Sequence, residues 1–331
     1  MPISRAGSID GAGFRPAFSI LYRKRLPCTG LCEDAAFLGI FPPTKRQARL
    51  RYDTGSMRVS VVTPSFNMKR YLPQTIESVL RNLRTGDQYF VIDGGSSDGS
   101  ADTIRSYADR LAGWLSEPDA GYADAIAKGF SRATGDILCW INCGDLLLDG
   151  ALDAARTALQ DTGADLIFGD DFYIDEDDKV ISFSRGYIND LRSSMLYGGW
   201  TPLQDACFWR RPLYQQAGGI DPTLKYAADY DLFLRMALRA KIAYVPIAFS
   251  AFRRHHGQKS ISGAAAYHAE RKRVRARELA AEPLMRRGLL SATQGFAVRW
   301  RIHVAQRAWH RPDLHGRPVN ELAAAPYWPP R

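Results

Sequence analysis

The sequence predicts an α/β fold: a mostly parallel sheet flanked by helices, followed by a C-terminal helical extension. Three observations predict it. Short apolar runs alternate with segments of helical periodicity from Arg58 to Gly169, the pattern of strands joined by crossover helices. One run, Tyr89-Phe90-Val91-Ile92-Asp93, ends on a carboxylate and enters the turn Gly94-Gly95-Ser96-Ser97-Asp98-Gly99. In an open α/β sheet the carboxyl ends of the strands border the crevice where ligands bind. Finally, 46% of the 331 residues are hydrophobic, enough for a sizeable core, and no internal repeat is present.

The elements follow in order. Residues 1–57 lack sustained periodicity and are broken by Pro16, Pro27, Pro42 and Pro43, so they read as a poorly ordered extension. Met57 immediately precedes the first strand and is an alternative start of the natural chain. Residues 58–262 form the main domain. Within it 59–63 is a short apolar strand, and 71–83 carries Leu72, Ile76, Val79, Leu80 and Leu83 at helical spacing. Residues 89–93 form the second strand, 102–111 a helix, 114–115 a short strand, and 123–133 a helix stopped by Gly135. Residues 137–141 form a strand, 151–160 a helix and 165–169 a strand. Beyond Gly169 the rhythm changes. Residues 172–174 and 180–183 flank the acidic Asp175-Glu176-Asp177-Asp178, which reads as a hairpin turn. A helix is expected over 229–239 and a strand over 242–246. From about Ala264 the chain reads as helical and arginine-rich, and it ends in a loose Pro-containing tail; 263–331 is the third segment.

Charge and cysteine usage limit the function. The net charge of +9 is uneven: residues 1–57 carry +5 and 263–331 carry +8, which leaves −4 for the domain between. A nucleic-acid site would interleave aromatic and basic residues in one groove, whereas here the basic excess lies at the ends, so no nucleic-acid partner is expected. Arg271, Lys272, Arg273, Arg275 and Arg277, with Trp300 and Trp309, form either a solvated helix face or a surface that rests on an anionic membrane. The five cysteines are odd in number and follow no zinc spacing. No apolar run approaches the ~20 residues of a membrane span, and the start has no secretory pattern. These features read as a cytoplasmic protein with reduced thiols, with the inner membrane face as the place where the basic stretch would rest. A dinucleotide oxidoreductase is excluded, because no G-x-G-x-x-G joins the first strand to the first helix.

Three acids stand where a strand ends or a helix opens: Asp93, Asp145 and Asp229. In a parallel α/β fold such places converge on one rim, as a ligand site requires. The flanking motifs occur in a telling order. Thr63-Pro64-Ser65-Phe66-Asn67 comes first, then Asp93 with its Gly-Gly-Ser-Ser-Asp-Gly turn. Next come Ser116-Glu117-Pro118-Asp119-Ala120-Gly121 and Ala123-Asp124-Ala125-Ile126-Ala127-Lys128-Gly129. They are followed by Asn142-Cys143-Gly144-Asp145, Gln204-Asp205-Ala206-Cys207-Phe208-Trp209-Arg210-Arg211 and Gly218-Gly219-Ile220-Asp221. Ala228-Asp229-Tyr230-Asp231-Leu232 and the stretch from Phe252-Arg253-Arg254-His255 to Lys259-Ser260 complete the series.

From Val59 to about Ser262 the chain resembles a family-two glycosyltransferase of the GT-A type, with its Rossmann-like sheet. The resemblance implies an inverting enzyme that moves a sugar from a nucleotide-diphosphate donor, of the UDP class, to a saccharide or lipid-linked saccharide in cell-surface polysaccharide or glycan synthesis. It assigns nucleotide contacts to Thr63, Pro64, Phe66, Asp93, Gly121 and Asp124. Diphosphate contacts fall to His255 and Lys259, and the acceptor side to Asp170, Gln204 and Trp209. Asp145 would hold one Mg²⁺ or Mn²⁺, and Asp229 would be the catalytic base. Several of these residues also have plain structural readings: a turn for Asp170, the core for Trp209, a basic loop for His255 and Lys259, a helix cap for Asp229. Two departures stand out. Gly94 replaces a second acid after Asp93, and Asn142 and Gly144 stand where carboxylates are often found beside Asp145. The depleted motif motivates an alternative, a nucleotide-sugar-binding protein that has lost catalysis.

The residue types suit the chemistry. A sugar hydroxyl is a weak nucleophile that must lose its proton as the new bond forms. A carboxylate at a helix start is kept ionised by the helix dipole, so Asp229 is a modest base there. The departing diphosphate is an anion, and a divalent cation on its oxygens neutralises that charge. Asp231 is expected to pair with Arg235 one turn on.

Overall fold

The computed structural model describes residues 57–186, 191–198, 201–255, 258, 263–281 and 312–325. All of them lie within one compact unit, Arg51–Pro329. Residues 1–56, Cys28 and Cys32 among them, Lys259, and Trp300 and Trp309 lie outside the described residues.

The first half alternates as the sequence predicts: β1 (Val59–Ser65), α1 (Leu72–Leu80), β2 (Gln88–Asp93), α2 (Ser100–Ser106), β3 (Gly113–Ser116), α3 (Tyr122–Arg132) and β4 (Ile137–Trp140). A two-residue β5 (Leu146–Leu147), α4 (Ala151–Thr162), β6 (Leu166–Ile174) and β7 (Val180–Ser184) follow. After α5 (Leu191–Ser193) come β8 (Cys207–Arg210), α6 (Arg211–Gln216), α7 (Ala228–Met236), β9 (Ile242–Arg253) and α8 (Ala264–Ala281).

Among the described residues the strands form one sheet ordered β3-β2-β1-β4-β8-β6-β9-β5, with β7 on β6. The run β3-β2-β1-β4 is parallel, as is β6 with β9, whereas β8 joins β4 to β6 antiparallel on both sides. The sheet is therefore mixed, and its parallel run β3-β2-β1-β4 is the half in which strands and helices alternate in sequence. β1 is buried along its whole length, as a strand covered on both faces must be.

Two apolar layers sandwich the sheet. On one face Ile126 and Phe130 of α3 and Phe233 of α7 pack with Trp140 and Trp209. On the other, Leu72 and Ile76 of α1 and Leu152 of α4 pack with Tyr89 and Phe249. Gly129 lets α3 approach β1 closely: a Cβ there would lie 2.5 Å from Val62 Cγ1.

Residues 312–325 differ from the loose tail expected. Leu314, Val319 and Leu322 pack against Phe172, Ile174 and Val180 of the β6–β7 hairpin. Backbone bonds fasten them there, from Val319 N to Asp178 O at 2.9 Å and from Ala324 N to Asp149 O at 2.8 Å. Along α8 only Glu270, Val274 and Glu278 are buried, so its arginines lie on the outer side or at the flanks.

Candidate active site

The parallel register sets Ser65, Asp93 and Ser116 side by side at the ends of β1, β2 and β3. Asp93 is fully buried. Its Oδ2 accepts from Ser96 N at 2.9 Å and Ser116 Oγ at 2.7 Å, and its Oδ1 from Ser96 Oγ at 2.5 Å. The carboxylate is thus fixed in place by the turn that follows it. Gly94 has a physical reason: a Cβ there would lie 2.6 Å from Asp119 Oδ2, so the Asp119 carboxylate occupies the space of the missing side chain. Gly95 has φ +79° and backs onto the Pro118 main chain, 3.0 Å from where its Cβ would be.

The loops after β1 and β2 are bonded to each other. Asn67 N donates to Ser96 Oγ, Ser97 N to Asn67 Oδ1 and Lys69 N to Asp98 Oδ2. Phe66 is 55% exposed beside them, a large apolar ring presented to solvent at the crevice edge. Thr63 is buried within β1 and shares a hydrogen bond with Tyr89 Oη, and Pro64 lies buried next to it. Gly121 (φ +128°) opens α3, and Asp124 accepts from Ala120 N at 3.1 Å, which together with Lys128 holds its carboxyl below the usual carboxylate range.

Asp145 sits just before β5 and is 4% exposed. Its Oδ1 accepts from Arg253 N at 3.0 Å, and Oδ2 has a long contact, 3.4 Å, with Asn142 Nδ2. Burial first, then the charge of Asp205, pushes its pKa well above the usual carboxylate range. Asp171 rises for the same two reasons, and burial pushes Asp205 up to about 6. The buried Arg253 knits this corner: Nε donates to Gly144 O, Nη1 to Asp175 O, and the guanidinium lies 4.8 Å from the centre of the Tyr71 ring. His255 packs against the same ring, 5.4 Å between centroids. The fold therefore gathers Asp145, Arg253, Tyr71 and His255 at one end of β9.

Among the described residues no group of three or more His, Cys, Asp or Glu side chains is arranged to hold a metal ion. The donor chemistry nonetheless fits a hard cation: Asp145 offers an Oδ2 whose one contact is long, and Mg²⁺ or Mn²⁺ needs only one or two carboxylates when phosphates fill the shell.

Asp229 lies in the first turn of α7. Its Oδ1 is buried and has no hydrogen-bond partner. Burial raises its pKa to about 6, against the opposing pull of the Tyr230 N–H and of Arg271. Tyr122, the first residue of α3, connects this helix to the donor-side segment. Its Oη accepts from Ala228 N and donates to Tyr226 O, both at 2.9 Å. Lys225 Nζ also donates to Ala120 O. Asp231 pairs with Arg235 as expected, and also with Arg277 of α8.

The acceptor-side residues are spread out. Asp170 is buried in β6, where its Oδ1 accepts from Tyr244 Oη at 2.7 Å and Gly186 N at 2.8 Å. Burial raises it to about 6, and its Oδ2 has no partner. Gln204 is buried with neither amide atom bonded. Trp209 is fully buried, with its ring edge-on to Trp140, Phe130 and Phe233; of its two sequence readings, the surroundings match the core. Sequence reasoning missed Tyr122, Glu270 and the Asp171–Asp205 pair. Asp205 lies inside a quoted motif and was legible there, but Glu270 carries no spacing signal.

The family model described as Glycosyl transferase family 2 matches residues 60–217. An uncharacterized glycosyltransferase of Mycobacterium tuberculosis is 33% identical over 190 residues, which cover 56% of this chain and 71% of that protein. The chain belongs to glycosyl transferase family 2. A PGL/p-HBAD biosynthesis glycosyltransferase of Mycobacterium bovis is 26% identical over 181 residues, 53% of this glycosyltransferase and 68% of the relative. The crystal structure of S. aureus TarS 1-349 in complex with UDP superposes with a TM-score of 0.53 at 15% identity, covering 76% of this chain and 72% of that one. That likeness is one of fold. Against TarS 1-349 alone the family member spans 60% of the solved chain. No helix among its described residues is long and apolar enough to cross a membrane.

Proposed function

We propose that this family 2 glycosyltransferase moves a hexosyl group from a UDP-sugar to a saccharide or lipid-linked saccharide, with inversion, in cell-surface polysaccharide or glycan synthesis. The observation that carries the reading is the Tyr122 bridge, which sets the donor-side helix α3 against the start of α7, where Asp229 lies. UDP is the nucleotide of the TarS complex and is the first to test.

In this reading Thr63, Pro64, Phe66 and Asp93 border the base and ribose, with the segment through Gly121 and Asp124 closing over them. Asp229 takes the proton of the acceptor hydroxyl. The acceptor oxygen bonds to the anomeric carbon, the bond from that carbon to the diphosphate breaks, and the nucleotide diphosphate leaves. A single displacement of this kind inverts the anomeric centre. Asp145 would hold one Mg²⁺ or Mn²⁺ with the diphosphate oxygens, and the cation supplies Lewis-acid stabilisation of the leaving group. His255 and Lys259 are the residues assigned to the diphosphate. Asp170 and Gln204 belong to the acceptor side, Trp209 supporting them from the core. The exposed arginines of α8 rest on the anionic inner membrane face, where a lipid-linked acceptor would be presented.

Calorimetric titration of UDP, GDP and ADP, with and without Mn²⁺, tests the donor side. Metal-dependent binding of UDP over the others is expected. UDP binding without turnover of any UDP-sugar would instead favour a binding protein, and no binding would overturn the donor assignment.

A further inference from the structure

Helix α7 begins without a side-chain cap of its own, because Ala227 at its N-cap makes no side-chain hydrogen bond. The first N–H groups of a helix have no partner within it and need one from elsewhere. Here Tyr122 meets the N–H of Ala228, and the N–H of Ala227 and of the two residues before it is met from the C-terminal helix. Glu270 of α8, 4% exposed, turns its carboxylate onto the strand of backbone that leads into α7. Oε2 accepts from Tyr226 N and from Ala227 N, each at 2.7 Å, and Oε1 from Lys225 N at 3.2 Å.

The same helix grips the residues on the other side of Asp229. The Arg271 guanidinium lies 4.4 Å from the centre of the Tyr230 ring, and Arg277 Nη2 meets Asp231 Oδ1 at 2.5 Å. Asp229 thus stands between two sets of contacts from α8. Its Oδ1 has no hydrogen bond and its carboxylate meets the main-chain N–H of Tyr230, so its direction follows the backbone at the start of α7, which α8 holds on both sides.

We propose that Glu270 is a positioning residue for Asp229, so that the C-terminal helix completes the active site of the glycosyltransferase domain. The proposal rests on the reading of Asp229 as the base. It gives α8 a role in turnover that is separate from any contact of its arginines with a membrane. A base must lie within hydrogen-bond reach of the proton it removes, and small displacements are costly. Glu270 also adds negative charge near Asp229, whose other charged or titratable neighbours are Arg271 and Tyr267 of α8, Tyr122 of α3 and Cys207 of β8.

The test is a double-mutant cycle on the full chain with Glu270→Gln and Asp229→Asn, alone and together. Three readouts are used: turnover with the UDP-sugar from which wild type releases UDP fastest, UDP affinity by calorimetry, and the ¹³C titration of the Asp229 carboxyl. Glu270→Gln should lower turnover roughly tenfold to a hundredfold, leave UDP affinity unchanged, and move the Asp229 midpoint to lower pH. In the Asp229→Asn background it should change turnover little. Equal losses in both backgrounds, or full turnover in Glu270→Gln, would overturn the proposal while leaving the base reading intact. Full turnover in Asp229→Asn would sink the base reading itself. If wild type turns over no UDP-sugar, the carboxyl titration decides: an unmoved midpoint rejects the coupling. Glu270→Asp provides a second variant should Glu270→Gln fold poorly. It keeps the charge but shortens the reach, so turnover should fall with the midpoint unchanged.

Discussion

The main-chain N–H of Arg253 donates to Oδ1 of Asp145 at 3.0 Å, which joins the end of β9 to the turn before β5. The bond engages one carboxylate oxygen and leaves the other with a single long contact, to Asn142. Asp145 is therefore oriented by backbone rather than by a second acid, which is how a motif depleted of carboxylates keeps its remaining one in place. Asp145→Ala should abolish the Mn²⁺-dependent part of UDP affinity, as read by calorimetry. Binding that is unchanged and still metal-dependent would place the cation elsewhere.

Asp229 should govern the acid side of the rate profile. Burial, the largest cause, raises it to about 6, and the ionised form is the one that accepts a proton. Turnover should therefore be flat above that pH and fall about tenfold per unit below it. Asp229→Asn should cut turnover by roughly a hundredfold or more with UDP affinity near normal. A variant with near-wild-type turnover, or a profile that stays flat down to pH 5, would remove Asp229 as the base.

Asp170 should make stability depend on pH in the opposite sense to a salt-bridged carboxylate. Its folded value is about 6, raised from 3.8 mainly by burial. Between those values the folded protein keeps a proton that the unfolded chain has released, so stability falls as pH rises through the window. Asn at this position keeps an oxygen for Tyr244 and Gly186 and carries no charge. The stability of Asp170→Asn relative to wild type should therefore improve between pH 4 and pH 7, by on the order of 2 kcal/mol. Urea unfolding at the two pH values measures this, and an equal difference at both would show that Asp170 does not titrate there.

The parallel half of the fold and the rim acids were legible because each signal is local. An apolar run that ends on Asp93, or a helix with Ile126 and Phe130 one turn apart, needs no knowledge of distant partners. The reading of β9 stopped at Pro246, and the strand continues to Arg253. The pairing of β9 with β6 explains why. Phe168 pairs with Tyr244 and Asp170 with Ala248, so the ladder shifts register over the stretch that contains Pro246. A proline is tolerated at such an irregularity, where no ladder bond is asked of it. Gly169 faces the same irregularity: a Cβ there would fall within contact distance of the Ile247 carbonyl oxygen and the Phe249 ring. β8 was missed because four residues between a 3₁₀ turn and a helix carry too little periodicity. Glu270 was missed for another reason. Its partners lie more than forty residues upstream, and nothing in the run of arginines around it marks one buried carboxylate.

Tyr122 offers the last test, because it separates the bridge from the packing around it. Tyr122→Phe keeps the ring and removes the hydroxyl, which leaves Ala228 N and Tyr226 O without the partner they share. Loss of such a bond costs about 1 kcal/mol, more where the orphaned group stays buried. The melting temperature should therefore fall modestly. Turnover should fall further than that loss of stability accounts for, since the start of α7 would no longer be tied to the donor-side helix. UDP affinity should change less than turnover, because the ring still closes the start of α3. Thermal unfolding and steady-state rates on the same preparation decide it. A lowered melting temperature with full turnover would make the bridge purely structural, and the reading of the active site would lose the contact that carries it.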